Sequence, residues 1–200
     1  MYRIREATRK DIDFLIEADL LVGAEDEPET ADAAANMTPQ ERTDHRQKIA
    51  AFVGTADKGA WICEDELTGE NGGMILCRFR NRWQEDFSGP SNLIFHLLEP
   101  SIFPPDGAFC EIFQLWVHPD HRRQGLARRL KVHVEQAARH RGISMIYTHT
   151  LARNHHVLTL NRKLGYREVR RGPIWDEWER VSLVKYLPIS ANPADVPDSD

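Results

Sequence analysis

Arg122, Arg123, Arg128 and Arg129 fall in one short stretch of chain, with Gly125 and Ala127 between them. Residues of these types at this spacing can hold an anion, provided the backbone beneath them helps. The sequence predicts that it does. Cys110 to Val117 is an apolar, β-branched and aromatic run of strand length, His118-Pro119-Asp120 interrupts it, and an alternating-charge helix begins near Arg123. Where a strand feeds a helix, the first backbone amides have no partner and the aligned peptide dipoles leave partial positive charge, which is a site for phosphate. Gly125 has no Cβ and lets the backbone approach closely, Ala127 keeps the next approach open, and the arginines supply cations. The expected ligand carries several phosphates. Cys110 reads as a buried strand thiol rather than an acyl nucleophile. His118, His121, His155 and His156 do not read as a zinc set, because two lie in a turn and two at a helix start with no Cys or acid at ligand spacing, so no metal is predicted.

The elements that must position this stretch follow from composition and pattern. Two hundred residues, 41% of them hydrophobic, suffice for one core, and a single domain is expected over residues 1–188 with a frayed tail over 189–200. Cys63, Cys77 and Cys110 form no CxxC pair and are odd in number, which argues against a disulfide framework and for a reducing compartment. The charged start of the chain resembles neither a signal peptide nor a membrane span, so a soluble, cytoplasmic protein without membrane contact is expected. Net charge is −5, but residues 121–141 carry +6 and the remainder −11. A basic helix on an acidic body suits one compact polyanion and suits duplex nucleic acid badly, so no nucleic-acid partner is expected.

Tyr2 to Arg5 alternates as a short strand, Thr8 starts a helix running to about Val22, and Gly23 ends it. An acidic loop follows from Ala24 to Met37. Thr38-Pro39-Gln40-Glu41 starts a second helix, with a capping Thr, Pro at its first position and Glu placed for a capping box; Ile49, Phe52 and Val53 give its buried stripe. Ala60–Cys63 and Gly73–Phe79 read as an antiparallel pair. Residues 81–107 are long, rich in proline, and hold one apolar run, Leu93 to Leu98. Beyond the basic turn, a helix buries Leu126, Leu130, Val134 and Ala137 or Ala138 and ends at Arg141-Gly142. Ile143 to Leu151 is the next strand, parallel to Cys110–Val117 through a right-handed crossover. Arg167–Arg171 and Trp178–Leu187 complete an antiparallel pair, and exposed Trp175 and Trp178 hint at a partner surface, hence a possible homodimer.

The segment Arg122-Arg123-Gln124-Gly125-Leu126-Ala127 resembles the [Q/R]-x-x-G-x-[G/A] loop of the GNAT acyl-CoA-dependent N-acetyltransferases. Its context is similar to that family too: an apolar strand ending in His-Pro-Asp, then a helix, a second strand and a short helix closing in Leu-Gly-aromatic, here Asn154 to Tyr166. The resemblance covers roughly residues 109–187. It implies an α/β fold with a mixed sheet of about seven strands, mostly antiparallel, a central splayed parallel pair and about four helices. It also implies that residues 81–107 are an insertion, since the corresponding connection is shorter in the family.

The same resemblance implies acetyl transfer from acetyl-CoA to a primary amine in a ternary complex. That chemistry needs a neutral amine, a stabilised oxyanion and a protonated leaving thiolate. Glu111 stands where histone-type members carry a catalytic glutamate and is the candidate base, His118 the second choice, a solvent-facing strand-edge acid the plain alternative. Backbone groups of Leu115, Trp116 and Val117 are the expected partners of the pantetheine arm and oxyanion; Arg122, Arg123, Gln124, Gly125, Leu126, Ala127 and Arg128 those of the phosphates. Asn154 matches a position that contacts the cofactor's amide arm, and Lys163 is a candidate phosphate contact. Asn161 occupies the place of the family's tyrosine acid. An amide cannot protonate a thiolate, although it can hydrogen-bond sulfur; Tyr147, His155 and Tyr166 are alternatives. The departure at Asn161 keeps a second class open, a CoA-sensing or interaction domain with weak catalysis. Acidic residues at 25–32 and at Glu85, Asp86, Asp176 and Glu177 suggest a small cationic amine or basic peptide terminus as acceptor.

Overall fold

Residues 1–26 and 36–188 are described by the structure, a computed structural model; most of the predicted acidic loop and the tail over 189–200 lie outside them. Seven strands form one mixed sheet: β1 Tyr2–Glu6, β2 Lys58–Asp65, β3 Asn71–Asn81, β4 Ala108–Val117, β5 Met145–Leu151, β6 Arg167–Gly172 and β7 Arg180–Tyr186. Their order is β1-β2-β3-β4-β5-β7-β6, and only β4 and β5 are parallel neighbours. The helices are α1 Ile12–Asp26, α2 Pro39–Ala50, the single turn α3 Leu93–His96, α4 Leu126–His140 and α5 His155–Lys163.

Local chemistry accounts for most of these limits. Thr38 and Glu41 form the predicted capping box at the start of α2. At the first helix the cap is displaced: Thr8 and Asp11 box a short 3-10 turn, Arg9–Asp11, before α1 begins at Ile12. Arg5 donates to both oxygens of Asp11, at 2.9 and 2.8 Å, and holds that carboxyl down at about 2. Gly23 does not end α1, which runs on to Asp26; inside a helix a glycine costs about 1 kcal/mol relative to alanine, and the hydrogen-bonded turn outweighs it. Phe52 and Val53 lie beyond the end of α2, which stops at Ala50.

Alternation along the central strands divides the core between the two faces of the sheet. On one face Cys63, Ile75, Cys110 and Ile112 pack under Leu126, Leu130, Val134 and Ala138 of α4. On the other, Ile62, Met74, Leu76 and Trp116 pack under Leu15 and Ala18 of α1 and Ile49 of α2. The long connection between β3 and β4 adds a third cluster on this second face, where Phe87, Ile94, Phe95 and Phe103 cover Phe109 and Tyr147. It holds α3 flanked by two 3-10 turns, Pro90–Asn92 and Pro100–Ile102. Cys63, Cys77 and Cys110 are free and buried. No described helix is long and apolar enough to cross a membrane.

The α4 face also buries charge. Lys185 Nζ lies 2.6 Å from Glu135 Oε2, while Lys131, 1% exposed, directs its ammonium over the Tyr166 ring at 4.7 Å. Burial pulls Lys131 down to about 7, against the opposing pull of Glu135. Because the unfolded lysine holds its proton up to 10.5, folding releases a proton between those values, and stability due to this residue rises with pH across that window. Lys131→Met is therefore expected to raise the unfolding midpoint at pH 7. Relative to that variant, the wild type should gain about 1.4 kcal/mol per pH unit above pH 7, read from denaturant melts of both proteins; parallel pH curves would contradict it.

Candidate active site

β4 and β5 pair at only two rungs, Cys110 with Ile146 and Glu111 with Tyr147, and then diverge. The divergence has a cause in β4. Cys77 faces Ile112 and Leu76 faces Gln114, so Phe113 is an extra residue, a bulge that bends the strand away. The bulge places two consecutive side chains on the α1 face: Phe113 stacks on Phe52 at 5.0 Å, and Gln114 Nε2 donates to Asp19 of α1 at 3.0 Å.

Above the fork the β4 backbone has one unpaired edge. His118 N donates to Gly72 O at 3.0 Å, so by alternation Trp116 also turns its peptide groups toward β3, opposite Met74. Leu115 and Val117 turn theirs into the fork. Of the three backbone candidates, Trp116 is thus spent on the sheet, and its ring packs against Phe14 instead. The Val117 carbonyl accepts from Arg122 Nε at 2.9 Å, which ties the following loop to the strand end.

That loop is shaped by two left-handed residues, Arg123 at φ 63° and Gly125 at φ 77°. Gly125 is the N-cap of α4, and a Cβ there would meet no atom, so its need for glycine is conformational. Arg129 N is the first amide to find a carbonyl, Gly125 O at 3.1 Å; the amides from Arg123 through Arg128 donate to no protein acceptor among the described residues. Left-handed turns of this kind gather successive N–H groups around one anion. Gln124, Gly125 and Arg128 are exposed, Ala127 is half-buried, and Leu126 is buried as the first core residue of the helix. Arg129 donates to Tyr2 O at 2.7 Å and Arg122 to Val117 O, Lys131 is buried in the core, and Arg123 and Arg128 are exposed beside the loop.

The remaining predicted residues are distributed unevenly. Asn154 caps α5, accepting from Val157 N at 3.3 Å. Lys163 stands exposed at the far end of the same helix, about 13 Å along its axis from Asn154 at 1.5 Å per residue. Asn161 is fully buried with neither amide atom hydrogen-bonded, and the Tyr166 hydroxyl is buried and unbonded as well. His118 caps the turn after β4 by accepting from Asp120 N, His121 Nδ1 meets the Tyr2 hydroxyl at 2.6 Å, and His155 is exposed. Glu111 sits at the last rung below the fork, buried, with Oε2 accepting from Arg80 at 3.0 Å and Arg78 at 3.4 Å. Among the described residues no group of three His, Cys, Asp or Glu side chains could hold a metal ion.

A splayed parallel pair, a bulge at its crotch and a cradle of free amides at the following helix agree with the comparisons. The sequence profile described as "Acetyltransferase (GNAT) family" matches residues 25–166. The chain belongs to the GNAT acetyltransferase family. It is therefore an acyltransferase, and its fold is shared with solved GNAT structures. These include Arabidopsis thaliana NAA60 in complex with a bisubstrate analogue, at 17% identity, 95% of this chain and 100% of that one, TM-score 0.65. They also include yncA of Salmonella typhimurium with acetyl-CoA, at 16% identity over 98% and 99% with TM-score 0.61, and the ribosomal-protein-S18-alanine N-acetyltransferase of Escherichia coli, at 16% over 98% and 99% with TM-score 0.58. A comparison with curated protein sequences finds no match.

Within this GNAT frame the fold adds a residue that sequence reading passed over. His149 lies on β5 two positions past Tyr147 and so on the same face, just above the fork. Its Nδ1 is buried without a partner, and its ring lies 5.3 Å from Trp175 and 6.0 Å from Tyr147. Burial, then the charge of Arg180, lowers it to about 4, so it is neutral at physiological pH. Trp175 Nε1 donates to Pro90 O at 2.8 Å, and Arg180 pairs with Asp176, which joins the β6–β7 loop to the β3–β4 connection beside His149. Tyr147 bonds Ser182 Oγ at 3.2 Å and is driven upward by burial, which makes it a poor proton source. A lone His within a predicted strand was the available signal; alternation from Tyr147 would have placed it at the fork.

Proposed function

We propose that this chain transfers the acetyl group of acetyl-CoA to a primary amine by direct attack in a ternary complex. The observation that carries the reading is the run of free amides from Arg123 through Arg128 at the head of the diverging strands. A pyrophosphate seated there sends the pantetheine arm down the open edge of β4, where Leu115 and Val117 offer peptide groups, and brings the thioester to the crotch at Phe113. Asn154 at the start of α5 is the side chain we place beside the arm, and the thiolate, with a pKa near ~8.5, can leave without a dedicated acid.

For the base, the arrangement favours His149 over Glu111. Glu111 is engaged by Arg80 at 3.0 Å and more loosely by Arg78 at 3.4 Å. A histidine at about 4 cannot strip an alkyl ammonium near ~10 directly. It can accept the proton once nitrogen has attacked, because the ammonium of a tetrahedral adduct is far more acidic. The amine then enters in its neutral form, and kcat/KM is expected to rise about tenfold per pH unit from pH 6 toward the amine's pKa, with no break near 6.5. Titration calorimetry with acetyl-CoA and thiol release across an amine panel test the assignment. Binding with turnover supports it, binding without turnover favours a CoA-sensing domain, and absence of heat at millimolar acetyl-CoA ends it.

A further inference from the structure

We infer that the acceptor amine carries a carboxylate, recognised by Arg78 with Lys48. This inference rests on the transferase reading above and names the substrate class of the same site. Of the acids that suggested a cationic acceptor, Glu85 takes Arg80 Nε at 2.9 Å, Asp86 takes the Ser88 amide and hydroxyl at 2.8 Å each, and Asp176 takes Arg180, while 27–32 lie outside the described residues. On the α1 face of the fork, Arg78 and Lys48 stand beside Glu111.

Arg78, Glu111 and Tyr147 stand opposite one another on β3, β4 and β5, forming the last rung before the strands part. The two arginines there are not equivalent. Arg80, with 9% of its side chain exposed, is satisfied by Glu85, Asn92 and Glu111. Arg78, with 21% exposed, makes one long contact at 3.4 Å to the oxygen that Arg80 already holds. A guanidinium has five N–H donors, so most of those on Arg78 are unused. Its plane is nonetheless fixed, stacked 4.2 Å from the Phe113 centroid and 5.6 Å from Phe52. Lys48 of α2 brings its ammonium 4.9 Å from the same Phe113 ring, with no acid paired to it among the described residues. Neutralising Glu111 needs only Arg80. A second, oriented and half-open guanidinium crowding it is unexplained by the fold and matches the planar fork of a carboxylate.

The placement fits. Arg78 stands on the last shared rung and His149 two residues past Tyr147 of that rung on the same face, so a carboxylate held by Arg78 leaves an adjacent amine at the mouth of the fork on the side of His149. An α-amino acid has that spacing; a polyamine would set ammonium groups against Arg78 and Lys48.

Thiol release with acetyl-CoA should be measured for matched pairs that share an amine but differ in the carboxylate, such as an amino acid, its carboxamide and its decarboxylated amine. The wild type, Arg78→Lys and Lys48→Met should be compared, with circular dichroism and thermal melts confirming folding. Arg78→Lys keeps the charge beside Glu111 and loses only the fork. The expected result is a kcat/KM at least tenfold higher for the carboxylated member, a KM for it raised about tenfold or more in Arg78→Lys and severalfold in Lys48→Met, and a smaller gap between pair members in both variants. Equal turnover of all three acceptors by the wild type, or an unchanged gap in Arg78→Lys, overturns the inference and leaves the transferase standing. Acetyl-CoA binding with no turnover of any member overturns both.

Discussion

Replacing His149 with alanine is expected to lower kcat by about 10²- to 10⁴-fold, the range associated with loss of a positioned proton acceptor. The ring is held between Tyr147 and Trp175, and its Nδ1 has no protein partner to compensate for burial. A native group left in that state is held for something other than stability. Turnover should return in part when imidazole is added to the variant, while acetyl-CoA affinity by calorimetry should change little, since His149 makes no contact with the amides of Arg123 to Arg128. The acid side of the stability curve gives a second readout. The folded pKa of about 4 lies below the ordinary 6.5, so the stability linked to neutral His149 is complete above pH 6.5 and is lost as pH falls through 4. The alanine variant should lack that loss. Wild-type turnover in the variant at every pH would remove His149 from the mechanism.

Glu111→Leu is expected to destabilise the protein by about 3–5 kcal/mol, because it strips the shared partner from two guanidiniums at a site with 5% of the carboxylate side chain exposed. Glu111→Gln keeps two acceptor lone pairs and should lose less. In a double variant with Arg80→Met the cost should fall below the sum of the singles, since the buried charge left behind is removed together with its partner. Urea melts of the four proteins give the coupling. The catalytic comparison follows from the same set: if Glu111 orders Arg78 rather than taking a proton, Glu111→Gln should raise the acceptor KM more than it lowers kcat. A kcat loss of about 10²-fold or more with KM intact would return the base to Glu111.

Much of this architecture was legible in the chain. Where a signal is local it carried through: the Thr38–Glu41 capping box, the Gly142 helix end, the apolar register of α4 at Leu126, Leu130, Val134 and Ala138, and the strand-turn-helix around Gly125 all depend on neighbours a few residues apart. Gly23 misled because a glycine stops a helix only if the following chain takes the left-handed turn. The single-turn α3 and its 3-10 neighbours were beyond periodicity, being shorter than the repeat that would reveal them.

The residues of the site divide along the same line. Backbone geometry at Arg123–Arg128 could be inferred because a helix start has free amides whatever surrounds it. Which β4 peptides face the fork, Leu115 and Val117 but not Trp116, is set by the hydrogen-bond phase with β3, a pairing between residues some forty positions apart. The partners of Glu111, the bulge at Phe113 and the seclusion of His149 all arise from strands and loops distant in sequence, and a side chain's charge state depends on what is packed against it. The sequence by itself determined that a basic, glycine-bearing loop opens a helix between two parallel strands. Only the tertiary structure decided which side chains stand at the fork and in what state, because burial and pairing are properties of neighbours that the chain order does not name.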